Sequence, residues 1–312
     1  MKVAVIGECM LEISNAAAGR LNRAMPCTFN FGGDTLNTAV YMARLGCEVT
    51  YFSALGDDPY SQWLLAEWRA EGVTTDQVVI LPGEMPGLYM IQTDDFGERS
   101  FSYWRSQSAA KQWLSNEVHC QVMLKSLAHF DVIYMSGITL SLMSEASTTL
   151  FLAGLAELRA RGVQVVFDIN YRPRGWFDAT QAKKRINAML TVTDIALPTF
   201  DDEVLLFGDA TPQDTLSRYA SMGVAECVVK LGSEGAIVQT SGESVRVASL
   251  KISHVVDSTG AGDSFNAGYL ARRLSGASCE EACLGGHTLA GTVIQHRGAI
   301  IAGSDMPTTL EV

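Results

Sequence analysis

Asp263 has the most chemistry to offer in this sequence, because of what stands before it. It closes Gly260-Ala261-Gly262-Asp263 within the longer run D-S-T-G-A-G-D-S-F-N-A-G-Y, residues 257–269. The two glycines permit positive φ and a close approach of backbone to ligand. Residues 264–274 then read as a helix that ends in basic residues, with Gly276 just beyond. A glycine turn opening a helix leaves unpaired amides at the positive end of the helix dipole, where phosphate binds readily. A carboxylate in that position suits removal of a proton from an alcohol. The amides of Gly260, Ala261 and Gly262 would meanwhile hold the charge building on a transferring phosphoryl group. The same run also fits a plain helix start whose early acid is favoured by the dipole.

Other polar groups gather at similar junctions. Phe31-Gly32-Gly33-Asp34-Thr35-Leu36-Asn37 opens a helix, with apolar residues 36, 39, 40 and 43 at helical spacing and Gly46 as its stop. A capped helix alone would explain this run too. Residues 87–93 and 99–105 read as two strands of a hairpin around the turn 94–98. Alternation puts Tyr103 and Arg105 on one face of it and Trp104 on the other. Cross-strand aromatic packing beside a solvated arginine is the alternative reading.

The elements that must hold these residues form a strand–helix series. Residues 3–6 and 49–54 are strands, with a helix over 61–70. The first strand runs into G-E-C-M-L-E, which lacks the glycines of a dinucleotide-binding turn. Strands over 131–135 and 163–167 flank a helix over 144–161. Asp168-Ile169-Asn170-Tyr171-Arg172-Pro173 follows, where open sheets bind ligands. Pro173 keeps Arg172 out of helical conformation, so Arg172 is either a substrate contact or a surface arginine. Further strands cover 194–197, 227–231 and 236–239, and Gly285-Gly286-His287 opens a last helix reaching about Gln295. The tail, 307–312, reads as loose. The succession implies an α/β fold, doubly wound, with a mostly parallel sheet and a separate small β-sheet lid.

Composition narrows the partners. Of 312 residues, 47% are hydrophobic and 18% charged, as in a globular protein. A formal charge of −11 argues against nucleic acid and anionic membranes as partners. No run approaches the roughly 20 apolar residues of a membrane span. Seven cysteines, odd in number and without a CxxC pair, read as buried free thiols in a reducing cytoplasm. The five histidines lack metal spacing.

The 257–270 and 31–46 runs, with the turn 228–235, resemble the PfkB/ribokinase family of carbohydrate kinases over nearly the whole chain. The resemblance implies a single ribokinase-like domain, 1–312, whose lid is formed by segments of about 9–31 and 87–106. It implies ATP and Mg2+, Asp263 as catalytic base, and sugar contacts from Gly32, Gly33 and Asn37. Asp34-Thr35-Leu36-Asn37 with Tyr89, Tyr103-Trp104-Arg105 and Asn170-Tyr171-Arg172 looks closest to the ketodeoxygluconate branch. There Asp34, Tyr89, Tyr103, Arg105 and Arg172 would grip a small sugar acid, since a planar guanidinium suits a carboxylate. The implied reaction is phosphorylation of the C6 hydroxyl of 2-keto-3-deoxy-D-gluconate. Lys230, Gly232, Ser233 and Gly235 resemble the family's nucleotide-binding turn. Asp168 and Asn170 would lie near the phosphates and His287 near adenine. Glu203 matches the Glu of an Asn-x-x-Glu motif serving magnesium indirectly, although Phe200 stands at the Asn position. A monovalent cation near Asp257 and Thr259, and lid strands pairing subunits into a homo-oligomer, are further implications. A fructokinase-like enzyme of the same fold and a non-catalytic sugar-acid sensor are the alternatives.

Overall fold

Alternating apolar residues force the first strand to be buried on both faces. In β1 (Lys2–Ile6), Val3 and Val5 point into one core while Ala4 and Ile6 point into another, and all four are fully buried. The computed structural model describes residues 1–15, 27–93 and 99–310. The turn 94–98, the middle of the first lid segment and the last two residues of the tail lie outside that set.

The chain continues through β2 (Met10–Asn15), β3 (Cys27–Gly32), α1 (Asp34–Arg44), β4 (Glu48–Leu55), α2 (Pro59–Ala70) and β5 (Val78–Ile80). Next come β6 (Gly87–Thr93), β7 (Arg99–Trp104), α3 (Ala109–Leu114), α4 (Glu117–Leu127), β8 (Val132–Ser136), α5 (Gly137–Leu142), α6 (Glu145–Ala160) and β9 (Gln164–Asp168). The chain then forms α7 (Ala179–Leu190), β10 (Ile195–Ala196), α8 (Phe200–Phe207), α9 (Pro212–Ser221), β11 (Glu226–Lys230), β12 (Ala236–Thr240), β13 (Glu243–Val247), α10 (Ala261–Leu274) and α11 (Cys279–Val293).

Among the described residues these strands form two sheets. The larger has nine strands in the order β13-β12-β11-β10-β9-β8-β1-β4-β5, parallel except where β12 and β13 return antiparallel. The smaller pairs β3-β2-β6-β7, with β2 and β6 parallel. From β1 the chain winds first toward β5 and then, from β8 onward, the other way. That reversal between β1 and β8 opens a crevice at the carboxyl ends of the strands. One core, with Phe151, Leu155 and Ile186, lies under α6 and α7. The other, with Leu36, Trp68, Leu270 and Leu289, lies under α1, α2, α10 and α11.

Two sequence expectations need correction. The last helix starts at Cys279, not Gly285, because Ser278 and Glu281 form a capping box. Gly285 and Gly286 sit inside it, facing α10, where a Cβ on Gly268 would lie 2.6 Å from the Gly285 carbonyl oxygen. Of the cysteines, none forms a disulfide, but only Cys9, Cys120, Cys227 and Cys283 are buried and Cys27 is exposed. No helix among the described residues is long and apolar enough to cross a membrane.

Candidate active site

Two helix N-termini meet over the carboxyl ends of β9 and β11. Gly260 starts α10 with φ of 75°, in the left-handed region, and a Cβ there would press to within 2.8 Å of the Ala299 carbonyl. Gly262 takes no positive φ; it lies in the first turn, with the Lys230 ammonium 3.7 Å from where its Cβ would be. Ala261 N–H donates to the Ser258 carbonyl at 3.2 Å. The amides left without an acceptor among the described residues are therefore those of Gly260, Gly262 and Asp263; of the three that the sequence suggests, only Ala261 is engaged.

Asp263 sits in this first turn, facing α1. Its Oδ2 accepts from Asn37 Nδ2 at 2.8 Å, and its main-chain oxygen accepts from Thr38 Oγ1 at 3.2 Å. Asn37 Oδ1 is buried and unpartnered, an acceptor aimed at something the chain does not supply. Asp34, the first residue of α1, accepts from Asn170 Nδ2 at 2.7 Å. Asn170 reaches it from a positive φ of 33°, which asparagine tolerates. Asp168 ends β9, accepting from Asn266 Nδ2 at 2.8 Å and facing Lys230 Nζ at 3.4 Å. Lys230 also donates to Asn266 Oδ1 at 3.0 Å, and Tyr134 Oη accepts from Asn266.

Crowding of carboxylates in this cleft disfavours the ionisation of Asp263 and Asp34. Burial, then the Asp34 and Asp168 charges, push Asp263 up to about 7, against the lowering effect of Asn37 and Lys230. Asp34 is raised too, mainly by burial, while Ser136 and Asn170 oppose the rise. A carboxylate that gains a proton near neutrality and stands at a helix N-terminus can accept a proton from an alcohol held in front of it.

The smaller sheet adjoins this cleft, since β3 runs directly into α1. Tyr89 and Tyr103 face each other across β6 and β7 with ring centroids 6.0 Å apart. The Tyr89 hydroxyl donates to Glu12 and lies 2.6 Å from where a Cβ of Gly32 would be. Gly33 is held just as tightly, since a Cβ there would collide with the Glu8 carbonyl. β7 ends at Trp104, so Arg105 lies past the strand and outside its alternation. Its guanidinium pairs with Glu8. Arg172, more than half exposed, pairs with Asp202 at 3.1 Å.

On the other side of Asp263, the turn after β11 uses positive φ at Gly232 (58°) and Gly235 (98°). Ser233, between them, is exposed. His287 is buried against Phe265, ring centroids 5.0 Å apart, and its Nε2 has no partner. Burial lowers its pKa and favours the neutral ring, against the opposing effect of a hydrogen bond to the Val247 backbone. Glu203 does not belong here. It is fully buried, accepting from Tyr219 Oη at 2.6 Å and Arg218 at 2.5 Å, away from Asp168 and Lys230. The acid of α8 that faces Asp168, Lys230 and Arg172 is Asp202, its pKa raised chiefly by burial. Among the described residues no three acid, histidine or cysteine side chains form a metal cluster. Mg2+ held mainly by water and phosphate oxygens needs only one or two carboxylates, which Asp168 and Asp202 can supply.

Sequence reasoning missed Thr38, Tyr134 and Asn266. Asn266 lies within the 257–269 run and carried a signal, as a polar residue one helical turn after Asp263. Tyr134, inside an apolar strand, carried none. A cavity of about 520 Å3 at the opposite ends of the strands is lined by Arg159 and Arg273, each already paired with Asp194 or Glu226. It has no part in this chemistry.

The model of the pfkB family carbohydrate kinases matches residues 1–306. The chain belongs to the pfkB family. It is a phosphotransferase of the ribokinase-like fold. Among its relatives, a 2-dehydro-3-deoxygluconokinase of Escherichia coli K12 is 46% identical over 98% of this chain and 99% of its own. One of the same name from Dickeya dadantii is 45% identical, with 98% of each chain covered. A chain from Escherichia coli solved in complex with ATP and Mg2+ superposes with a TM-score of 0.83 at 25% identity, covering 96% of this chain and 94% of that one.

Proposed function

We propose that this pfkB kinase transfers the γ-phosphoryl group of ATP to the C6 hydroxyl of 2-keto-3-deoxy-D-gluconate. The observation that carries the reading is Asp263, a carboxylate titrating at about 7 at the start of α10, between the α1 and lid residues and the Lys230–Gly235 turn. Full-length relatives at 41–46% identity that bear the name 2-dehydro-3-deoxygluconokinase support the choice of substrate.

In this mechanism Asn37 donates to Asp263 and aims the carboxylate. Asn37 Oδ1 and Asp34 receive substrate hydroxyls, while Gly32 and Gly33 bring backbone close to the sugar. Asp263 takes the proton of the C6 hydroxyl as its oxygen attacks in line. The Gly260, Gly262 and Asp263 amides and Lys230 stabilise the charge on the moving phosphoryl group. Asp168 and Asp202 would hold Mg2+, which would supply positive charge to offset that of the phosphates. Gly232, Ser233, Gly235 and His287 hold the nucleotide, with Asp168 and Asn170 ordering the groups near its phosphates. Arg105 and Arg172 receive the substrate's carboxylate, with Tyr89 and Tyr103 walling it, and the small sheet closes as a lid that excludes water. ATP as substrate puts the reaction in the cytoplasm. A monovalent cation beside residues 257–259 completes the proposal, and equal rates in potassium and tetramethylammonium salts would remove it.

The test is ATP-dependent phosphorylation of 2-keto-3-deoxygluconate, fructose, ribose and gluconate. The expected result is a kcat/KM preference for the keto-deoxy acid of roughly two orders of magnitude, the worth of one charge-assisted contact. A preference for fructose would overturn the substrate and leave the Asp263 chemistry standing.

A further inference from the structure

Every connection between the two sheets passes Glu8. The residue itself lies on the link from β1 to β2. Gly33, on the link from β3 to α1, packs against its carbonyl oxygen so closely that no side chain fits. Gly87, where the chain enters β6, leaves only 3.2 Å between a would-be Cβ and Glu8 Oε1. Arg105 and Ser108, on the link from β7 to α3, both donate to its carboxylate. Glu8 is only 3% exposed, and nothing in the phosphoryl-transfer chemistry uses it.

A buried carboxylate persists only where it is paired and hydrogen-bonded, so Glu8 requires the Arg105 guanidinium at one fixed place. Arginine in turn is long and has many rotamers. Left loose, it would lose that freedom only on meeting its ligand, at a cost in affinity. Here one Nη2 hydrogen is committed to Glu8, the Nε is buried without a partner, and part of the side chain stays exposed. We propose that Glu8 is a positioning residue: it pins Arg105 at the root of the lid so that the remaining N–H groups are already aimed at the carboxylate of the substrate. This rests on the sugar-acid reading above and adds to it the residue that sets its selectivity.

The experiment is a double-mutant cycle of Glu8→Ala and Arg105→Ala, with Glu8→Gln and Ser108→Ala as companions, read as KM and kcat on the keto-deoxy acid and on fructose. Glu8→Ala should raise KM for the acid about tenfold and leave kcat within about twofold, with no change in KM for ATP or fructose. Glu8→Gln, whose amide oxygen still accepts from Arg105, should recover most of the loss. Ser108→Ala, which spares the Arg105 contact, should leave KM for the acid alone. In the Arg105→Ala background, Glu8→Ala should add nothing. Equal losses on both sugars, additive effects with Arg105→Ala, or a Ser108→Ala as harmful as Glu8→Ala would make Glu8 a hinge residue only and overturn the proposal. If Glu8→Ala does not fold, Glu8→Gln against Ser108→Ala decides by the same criteria. A wild-type enzyme that prefers fructose refutes the substrate assignment separately. The cycle on the keto-deoxy acid, measured as the poorer substrate, then still judges Glu8 by the same criteria.

Discussion

Asp263 can serve as a base near neutral pH only because its neighbours make its charge costly. Burial and two further acids raise it to about 7, so the group is half-ionised there. A base must be ionised to accept a proton. Accordingly kcat/KM should fall about tenfold for each pH unit below about 7 and level off above it. Stability should run the opposite way. A carboxyl whose folded pKa is raised binds its proton more tightly in the native state, so its stabilising contribution is complete below about 4 and is lost as pH rises to about 7. A kcat/KM flat from pH 5 to 8 would contradict this. The glycine run and its acid were legible in the sequence. The second carboxylate, Asp34, was legible as a polar helix start, but its pairing with Asn170, 136 residues away, was not. Local pattern carries no information on which distant groups a fold brings into one cleft. The same limit hid the true surroundings of Glu203, whose partners Arg218 and Tyr219 lie on the following helix.

Helices α10 and α11 show how an element's ends can be misread from its glycines. Gly285-Gly286 looks like a start, yet the capping box of Ser278 and Glu281 begins the helix six residues earlier. The glycines are there for contact: Gly268 faces Gly285 and Gly286, and Phe265 lies against Gly286. Close approach of α10 to α11 sets where Phe265 and His287 stand, and with them one wall of the cleft. Gly268→Ala would force the backbones apart at 2.6 Å. It should destabilise the protein by about 1–3 kcal/mol, an overpacking cost. Thermal unfolding would show a Tm lower by about 2 °C or more. An unchanged Tm would mean that the two helices are free to separate. Strands were easier to read than helices here, because an apolar run bounded by turn residues is local. Exceptions are the short β5 and also β13, missed although Ser241 and Gly242, at φ of 52° and 84°, form the kind of turn that joins hairpin strands.

At the scale of the whole molecule, the nine-stranded sheet offers the carboxyl ends of its strands as a floor, and the four-stranded sheet is a separate, smaller unit joined to it. The parallel series was visible as alternating strands and helices, and the second sheet as a hairpin that interrupts it. What could not be read was that four connections converge on one buried glutamate. Among the described residues β3 is an outer strand of the smaller sheet, and its Phe29 is exposed. Pairing of two such strands would give the dimer that the resemblance implies, and sedimentation equilibrium should return about twice the 33.7 kDa chain mass. A strict monomer would remove that expectation. The central claim concerns Asp263, and Asp263→Asn tests it most directly, since the amide keeps the size and loses the base. Turnover of 2-keto-3-deoxygluconate by this variant should fall by about 10²–10⁴-fold, with the Kd for ATP unchanged. Turnover within a few-fold of the wild type would show that the proton leaves by another route.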